Sequence, residues 1–228
     1  MDAARAASAE TAQNLCWHCK QETAAAPFCD HCAKIQPAGA GTDYFKFMGL
    51  PRRLQIDPKD LERRFYELSR KFHPDFYLNA GEHEQRLSLE NSAVLNRSYR
   101  ALREPFARAE YLVKLIQGSD QEIAASPPRE LLEEVFEFNE RLQEIRGERD
   151  GDRMRTLASQ LENDRRRFEA KDAALRSGLE DLFRRWDAAA EAGEDTAEIL
   201  GELKAFLSQR KYIQNTVRDI TEVLSCLS

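Results

Sequence analysis

The sequence lacks any apolar run that approaches the roughly 18 residues a membrane-spanning helix needs. Glycine and proline are scarce, at 10 and 8 in 228 residues. Beyond residue 42 there is no strand-like alternation, internal repeat or low-complexity tract. Positive charge is not in excess either, since the net charge is −6 and the pI is near 5.4. These features argue against membrane and nucleic-acid partners, and they favour a chain of charged helices.

The start of the chain also lacks a recognisable targeting pattern. Residues 1–15 are small and Ala-rich, with Arg5 as the only cation beside Asp2 and Glu10. This composition fits neither a secretory signal nor an Arg-rich transit peptide, and we expect a disordered leader. The expected compartment is the cytoplasm, or the mitochondrial matrix in a eukaryote, where thiols stay reduced.

Four of the five cysteines stand close together as two CxxC pairs, separated by nine residues; they are Cys16, Cys19, Cys29 and Cys32. Each pair can turn two sulfurs toward one point, so the two pairs can enclose one zinc ion tetrahedrally. So short a segment buries little apolar surface, and metal binding would supply its folding free energy. The alternatives are a pair of disulfides, which reducing surroundings disfavour, and a redox CxxC, for which the βαβ context is missing. The spacing predicts a structural zinc module over residues 16–36, and we expect no organic cofactor.

Helical periodicity dominates the rest of the chain. Asp57-Pro58 supplies an N-cap and a proline at the first helical position. The helix that it opens has apolar residues at four-three-four spacing, namely Leu61, Phe65, Leu68 and Phe72. Glu104-Pro105 marks a boundary, and beyond it three long apolar stripes separated by Gly-containing turns predict an antiparallel bundle. We therefore predict an all-α protein, with a helical hairpin over residues 42–104 and a three-helix bundle over residues 105–228.

The tripeptide His73-Pro74-Asp75 follows the first of these helices directly. Pro74 fixes its own backbone and pushes His73 out of helical geometry, which exposes an imidazole and a carboxylate side by side. Asp75 is placed to accept a charge-assisted hydrogen bond from an arginine of a partner. Cations on the preceding helix would steer a negatively charged surface toward the same tip; they are Arg63, Arg64, Arg70 and Lys71.

Two other interpretations of the tripeptide are weaker. A hydrolase with His73 and Asp75 as a dyad would need a paired Ser or Cys nucleophile, and none is obvious in the sequence. A solvated helix face followed by an ordinary proline turn explains the charges, but it does not explain the tripeptide between two helices. We therefore interpret the chain as a non-enzyme with a partner-binding loop.

A basic helix, an HPD loop and a second helix outline a J domain, and the chain resembles one J-protein family, the HscB co-chaperones of iron–sulfur cluster assembly. The similar stretches are Asp43-Tyr44-Phe45 with Gly49-Leu50, the run from Leu61 to Asp75, the residues Asn96, Tyr99 and Leu102, and the run from Pro105 to Leu112. The last run is the most specific, because generic J proteins lack it. The tetracysteine segment resembles an extension found on animal-type and some bacterial members, and Phe76 follows the animal-type pattern. The Gly/Phe-rich linker and CxxCxGxG repeats of DnaJ-type chaperones are absent.

The resemblance implies a J domain that recruits a DnaK/HscA-type ATPase and a bundle that binds the cluster scaffold IscU. On the first long bundle helix, Leu132 and Phe136 lie one turn apart beside the core stripe. A face this wide is either buried in the bundle or exposed as a binding patch. By alignment with the family, the scaffold-contact positions are Leu132, Phe136, Glu137, Glu140, Glu144 and Tyr212. Glu133 stands where relatives often have an apolar residue.

Two rival functions stay open on the sequence. One is a general J protein that feeds unfolded chains to a chaperone, which would have no use for a scaffold-binding surface. The other is a zinc-dependent interaction or nucleic-acid module with an incidental HPD tripeptide. A function that depends on Cys16 but not on Asp75 would support this second rival.

Overall fold

The computed structural model describes residues 15–23, 26–39, 41–118, 128–147 and 150–227. Its helices are α1 (Tyr44–Phe47), α2 (Pro58–Phe72), α3 (Glu82–Arg103), α4 (Pro105–Gln117), α5 (Arg129–Gly147), α6 (Gly151–Ala192) and α7 (Ala197–Leu227). A short 3₁₀ turn, Pro74–Tyr77, stands between α2 and α3. Over the described ranges the only extended pairings are two isolated bridges, which join Leu15 to Glu22 and Phe28 to Ile35. The all-α prediction is therefore confirmed, whereas the predicted leader lies outside the described residues except for Leu15.

The described residues form two compact units. The first comprises the residues up to Arg52 together with Ile56–Glu104, and the second comprises Arg53–Gln55 together with the residues from Pro105 onward. Among the helices in these ranges, none combines the length and the apolar character that a bilayer crossing requires.

The first unit is built on α3, against which α1 and α2 pack. Helix α2 begins where the sequence predicts, because the side chain of Asp57 accepts a hydrogen bond from the backbone N–H of Lys59 at 3.0 Å. Its apolar stripe faces α3, where the ring of Phe65 stacks on that of Tyr99 with centroids 4.3 Å apart. The centre of the unit is apolar and fully enclosed; it includes Phe45, Leu61, Phe72, Leu87, Leu95 and Leu102.

The second unit contains the three long helices of the predicted bundle, α5, α6 and α7, and the shorter α4, which packs on α7. Helix α6 ends before Gly193, whose left-handed backbone (φ 69°) lets the N–H of the next residue, Glu194, bond to the carbonyl of Ala189 at 2.9 Å. The helices α6 and α7 approach closely at Gly178, where an added Cβ would lie 2.7 Å from Cζ of Phe206. A side chain at this glycine would therefore require the ring of Phe206 to shift.

Asp187 of α6 holds the short segment of the second unit that precedes α2. Its two carboxylate oxygens accept hydrogen bonds from the backbone N–H groups of Leu54 at 2.7 Å and Gln55 at 2.8 Å. Burial raises the pKa of this carboxyl group, although the two N–H donors oppose the shift. The carboxylate thus satisfies two amides that would otherwise lack partners.

We expect Asp187→Ala to lower the free energy of unfolding by about 1–3 kcal/mol, because it leaves the two amides without an acceptor. Chemical denaturation followed by circular dichroism would measure the change. Asp187→Asn keeps one acceptor oxygen and should lose less stability. Equal stability of the alanine variant and the unmodified chain would show that water replaces the carboxylate.

Candidate functional site

The HPD tripeptide forms an exposed loop at the end of α2. The backbone of His73 (φ −59°, ψ 126°) leaves the helical region, as expected for a residue before proline. The His73 and Asp75 side chains are 52% and 75% exposed, and His73 Nδ1 lies 3.5 Å from Asp75 Oδ2. Nδ1 also accepts a hydrogen bond from the backbone N–H of Asp75 at 3.3 Å. The imidazole therefore lies against the backbone and carboxylate of Asp75, and both side chains stay accessible to solvent.

The residue just before the tripeptide fastens the loop to α3. The side chain of Phe72 is fully buried, and its ring stacks on that of Phe47 with centroids 5.7 Å apart. Its carbonyl accepts hydrogen bonds from the hydroxyl groups of Ser88 at 2.6 Å and Ser92 at 3.1 Å. The last carbonyls of a helix have no partners within the helix, so these serines complete the end of α2. Neither serine is predicted from the sequence; the feature that could indicate them is a pair of small polar residues, four apart, on an otherwise buried face.

The other end of the loop is held by Tyr77. Its hydroxyl donates a hydrogen bond to the carbonyl of Lys71 at 3.1 Å, which ties the 3₁₀ turn back to the last turn of α2. Burial raises the pKa of Tyr77, and the negative charge of Glu84 raises it further, against the opposing charge of Lys34. The phenol therefore stays protonated and keeps its donor role across the physiological pH range.

Two of the four predicted steering cations are neutralised within α2. Arg63 pairs with Asp60 and, at 2.7 Å, with Glu67, while Arg64 pairs with Asp60 at 2.7 Å. The guanidinium groups of Arg64 and Arg63 hold the pKa of Asp60 below its usual range. Arg64 Nη1 also donates to the carbonyl of Gly49 at 2.7 Å, which connects α2 to the residues that follow α1. Two cations and two anions cancel here, so this cluster adds little to long-range steering.

The other two predicted cations lie in the last turn of α2, next to the tripeptide. Arg70 and Lys71 are both exposed, and in the described part of the chain neither side chain has an ion pair. Positive charge at the C-terminus of a helix is favourable there because it opposes the helix dipole. Of the four candidates, these two supply the positive field beside the loop.

The four cysteines of the CxxC pairs come together as one cluster. All four sulfurs lie within 4.8 Å of one another, with Cys16 to Cys32 at 3.6 Å and Cys19 to Cys29 at 3.7 Å. The thiols are free, and these distances are far longer than the roughly 2.05 Å of a disulfide. The sulfurs are thus positioned to bind one metal ion, as the spacing predicts.

Local backbone geometry builds each half of this cluster. In each pair a tight turn closes on the first cysteine, with the N–H of Lys20 bonded to the carbonyl of Cys16 at 3.0 Å and that of Ala33 to Cys29 at 2.9 Å. Lys20 (φ 62°) and Ala33 (φ 56°) adopt left-handed backbone conformations that are costly for non-glycine residues. Such strain persists only where surrounding interactions compensate, and a bound metal ion would supply that compensation.

The electrostatics of the sulfurs also fit a cation. Burial alone would raise the pKa of Cys16, but N–H donors of Cys19 and His18 outweigh it and lower the pKa to about 6. Cys32 accepts from the N–H of Lys34, yet burial and the other three sulfurs raise its pKa to about 12. Crowded sulfurs cannot all ionise without a compensating positive charge, which a divalent ion provides.

The cysteine module packs directly on α3 in the first unit. Asn91 bridges the two, since its side-chain amide donates to the carbonyl of Gln36 at 2.9 Å and accepts from the N–H of Ala38 at 3.1 Å. An ion pair joins Lys34 to Glu84 at 2.9 Å. Contacts between residues so far apart in the chain leave no local pattern, so the sequence does not predict that this module packs on α3.

The face of α5 that carries Leu132 and Phe136, beside the core stripe, is exposed. Leu132 and Phe136 are 42% and 65% exposed, and Tyr212 of α7 is 39% exposed. By contrast, the core stripe of the same helix is buried at Leu131, Phe138, Leu142 and Ile145, and half-buried at Val135. Glu140 and Glu144, which continue the line of Leu132 and Phe136 at the same four-residue spacing, are also exposed, and so is Glu137. The structure therefore shows that this face of α5 is exposed to solvent and is not buried in the bundle.

Comparisons with known proteins agree with the resemblance, although no family model matches the chain. The iron–sulfur cluster co-chaperone protein HscB homolog of Arabidopsis thaliana is 35% identical over 131 residues, which cover 57% of this chain and 51% of that protein. The iron–sulfur cluster co-chaperone protein HscB of Mus musculus is 32% identical over 152 residues, which cover 63% of each. The chain thus spans between about half and just under two thirds of the length of these relatives.

A solved structure extends the match to the fold. The crystal structure of the human co-chaperone protein HscB superposes with a TM-score of 0.59 at 25% identity, and the match covers 92% of this chain and 98% of the human one. The fold match thus adds to the sequence matches, and this chain also has the HPD loop and the tetracysteine cluster described above. These observations together show that the chain is similar in sequence and in fold to proteins named HscB co-chaperones.

Proposed function

We propose that this protein is a co-chaperone of iron–sulfur cluster assembly, which binds an IscU-type scaffold and stimulates the ATPase of a DnaK/HscA-type chaperone. The observation that carries the proposal is the exposed HPD loop in a chain whose relatives are named iron–sulfur cluster co-chaperones. The protein itself would catalyse no reaction, since ATP hydrolysis takes place in the chaperone and the cluster is cargo on the scaffold. The proposed compartment is the cytoplasm, or the mitochondrial matrix in a eukaryote.

The HPD loop is suited to a transient contact with the chaperone. Asp75 offers a solvent-facing carboxylate that can accept a charge-assisted hydrogen bond from an arginine. The hydrogen bonds of the Phe72 carbonyl and of the Tyr77 hydroxyl hold the loop in place before the chaperone binds. Little conformational entropy is therefore lost on association. Arg70 and Lys71 add positive charge beside the loop, which raises the association rate with an acidic surface.

The exposed line of α5 is suited to the scaffold. Leu132 and Phe136 provide a small apolar centre, and Glu137, Glu140 and Glu144 provide an acidic margin. An apolar centre with a charged rim is the usual composition of a protein-binding surface. The partner surface would be apolar with basic residues at its edge. Tyr212 contributes a second exposed aromatic from α7.

Zinc is the metal that we assign to the four cysteines. Cys16, Cys19, Cys29 and Cys32 form an all-sulfur set that can satisfy tetrahedral Zn²⁺ completely, leaving no position open for catalysis. Bound zinc would neutralise the crowded thiolates and stabilise the module. The role of the ion in this proposal is structural.

We expect one zinc ion per chain in the purified protein, and its loss in a variant with Cys16→Ser and Cys19→Ser. Two of four ligands are then replaced by weak donors, and affinity should fall by several orders of magnitude. Atomic absorption gives the stoichiometry, and a chromogenic chelator reports release. Cys226→Ser is the matched control, because that exposed thiol lies outside the cluster. Retention of zinc by the double variant would contradict the assignment.

The decisive experiment is the steady-state ATPase rate of a DnaK/HscA-type chaperone with this protein, with and without an IscU-type scaffold. Stimulation by both proteins together that exceeds the sum of the separate effects is the expected result. Stimulation that ignores the scaffold would indicate a general J protein instead. No stimulation at all would overturn the proposal.

A further inference from the structure

The cysteine module reaches the residue from which the HPD loop starts. The ring of Phe28, which immediately precedes Cys29, stacks on the buried ring of Phe72 with centroids 5.3 Å apart and an interplanar angle of 8°. The opposite contact of Phe72 is the ring of Phe47 at 5.7 Å. The side chain that ends α2 is therefore packed against one aromatic ring from the metal module and one from α1.

The position of Phe28 depends on the fold of the module. Backbone hydrogen bonds on either side of this residue close a hairpin, from Gln36 N–H to the carbonyl of Pro27 and from Cys29 N–H to that of Lys34, each at 2.9 Å. Phe28 itself pairs with Ile35, whose side chain is fully buried. A hairpin of this size has little core of its own, so metal binding at Cys29 and its partners would fix where the ring of Phe28 lies.

The backbone of Phe72 connects the stacked rings of Phe28 and Phe72 to the HPD loop. Its carbonyl is bonded to Ser88 and Ser92, and the next residue is His73. The carbonyl of His73 in turn accepts the N–H of Phe76 at 3.0 Å, which closes the 3₁₀ turn that carries Asp75. A displacement of the Phe72 ring would therefore move the first hydrogen bond of the loop.

We propose that the tetracysteine module is a positioning element for the HPD loop, and that Phe28 is the residue through which it acts. The inference rests on the proposed chaperone contact for its functional consequence, but the structural link does not depend on that contact. Phe28 acts through Phe72 and does not need to touch the chaperone. Metal loss would loosen the loop and weaken ATPase stimulation without altering the tripeptide.

The test compares Phe28→Ala with the unmodified full-length protein. Hydrogen exchange at the amides of Asp75, Phe76 and Tyr77 should become about tenfold faster, because the ring stack that supports Phe72 is lost. The concentration of co-chaperone that half-saturates the chaperone ATPase should rise about three- to tenfold, while the maximal rate stays unchanged. Phe28→Leu keeps an apolar side chain against Phe72, so its exchange rates and its half-saturating concentration should stay close to those of the unmodified protein.

A matched control removes a different contact of the same module. The ring of His83 contacts Trp17 of the module, with centroids 4.5 Å apart, and His83→Ala leaves the stack of Phe28 on Phe72 in place. This variant should preserve loop protection and half-saturation. If His83→Ala accelerates exchange and raises the half-saturating concentration as much as Phe28→Ala does, the module acts by general stabilisation and the inference is wrong.

Metal removal from the unmodified protein is the second measurement, and it does not require that any variant folds. Chelation with release of the ion confirmed by a chromogenic assay should accelerate exchange at the same three amides, and re-addition of zinc should reverse the effect. Unchanged exchange in the metal-free protein would overturn the inference, whatever Phe28→Ala does. The exchange readout needs no chaperone, so failure of the proposed function would appear separately, as absence of ATPase stimulation by the unmodified protein.

Discussion

Asp75→Asn is expected to reduce stimulation of the chaperone ATPase by at least tenfold while leaving the fold unchanged. The substitution keeps the size of the side chain and removes its charge. A hydrogen bond to a charged group contributes about 1.5–3 kcal/mol, which corresponds to roughly 10- to 150-fold in affinity. Because the side chain is 75% exposed, its charge is available to a partner and contributes little to stability. Steady-state ATPase assays at several concentrations of co-chaperone would measure the loss.

Asp181→Asn is the matched control for this prediction. The residue is an exposed aspartate of α6, where the same chemical change removes one surface ion pair with Arg184. Stimulation by this variant should equal that of the unmodified protein. Full stimulation by Asp75→Asn would instead show that the loop carboxylate takes no part in the chaperone contact, and it would favour a function based on the zinc module.

The second large effect is expected on α5. Leu132→Ala combined with Phe136→Ala should weaken binding to an IscU-type scaffold by about 100-fold, because each truncation removes on the order of 1–2 kcal/mol of apolar burial from the complex. Both side chains lie outside the bundle core, so the melting temperature should change little. Isothermal titration calorimetry with the scaffold would give the dissociation constant.

This double variant also separates the two activities. Stimulation of the chaperone without scaffold should stay normal, whereas the additional stimulation by scaffold should disappear. Ile116→Ala serves as the control, since this residue of α4 is 45% exposed and apolar but belongs to neither proposed surface. An unchanged dissociation constant for the double variant would remove the scaffold assignment from α5 and leave the chaperone assignment intact.

The local features of this fold could be predicted from the sequence because each depends on neighbouring residues. Asp57-Pro58 starts a helix and Pro74 ends it through steric effects that act over one or two residues. Each CxxC pair brings its own two sulfurs together within a turn of only four residues. The buried stripe of α5 follows from helical periodicity, which also placed Leu132 and Phe136 on a neighbouring face.

Whether that neighbouring face is buried or exposed could not be read from periodicity, because either arrangement produces the same spacing. Charge gave a similar ambiguity on α2: four cations were apparent, but only the folded helix shows that Arg63 and Arg64 are paired with Asp60. The number and spacing of charged residues do not show which side chains pair, because pairing depends on side-chain conformation in the folded helix.

The sequence alone therefore determined the helical composition, the exposed tripeptide and the four metal-binding sulfurs, all of which follow from short-range sterics and periodicity. Only the tertiary structure placed Ser88 and Ser92 against the carbonyl of Phe72, and the ring of Phe28 against its side chain. These contacts join residues 16 to 44 positions apart, and packing between separate elements, rather than any local propensity, selects them. The reason is that burial of apolar surface is favourable whichever apolar group is the partner. Which residues become partners therefore depends on the packing of the whole fold.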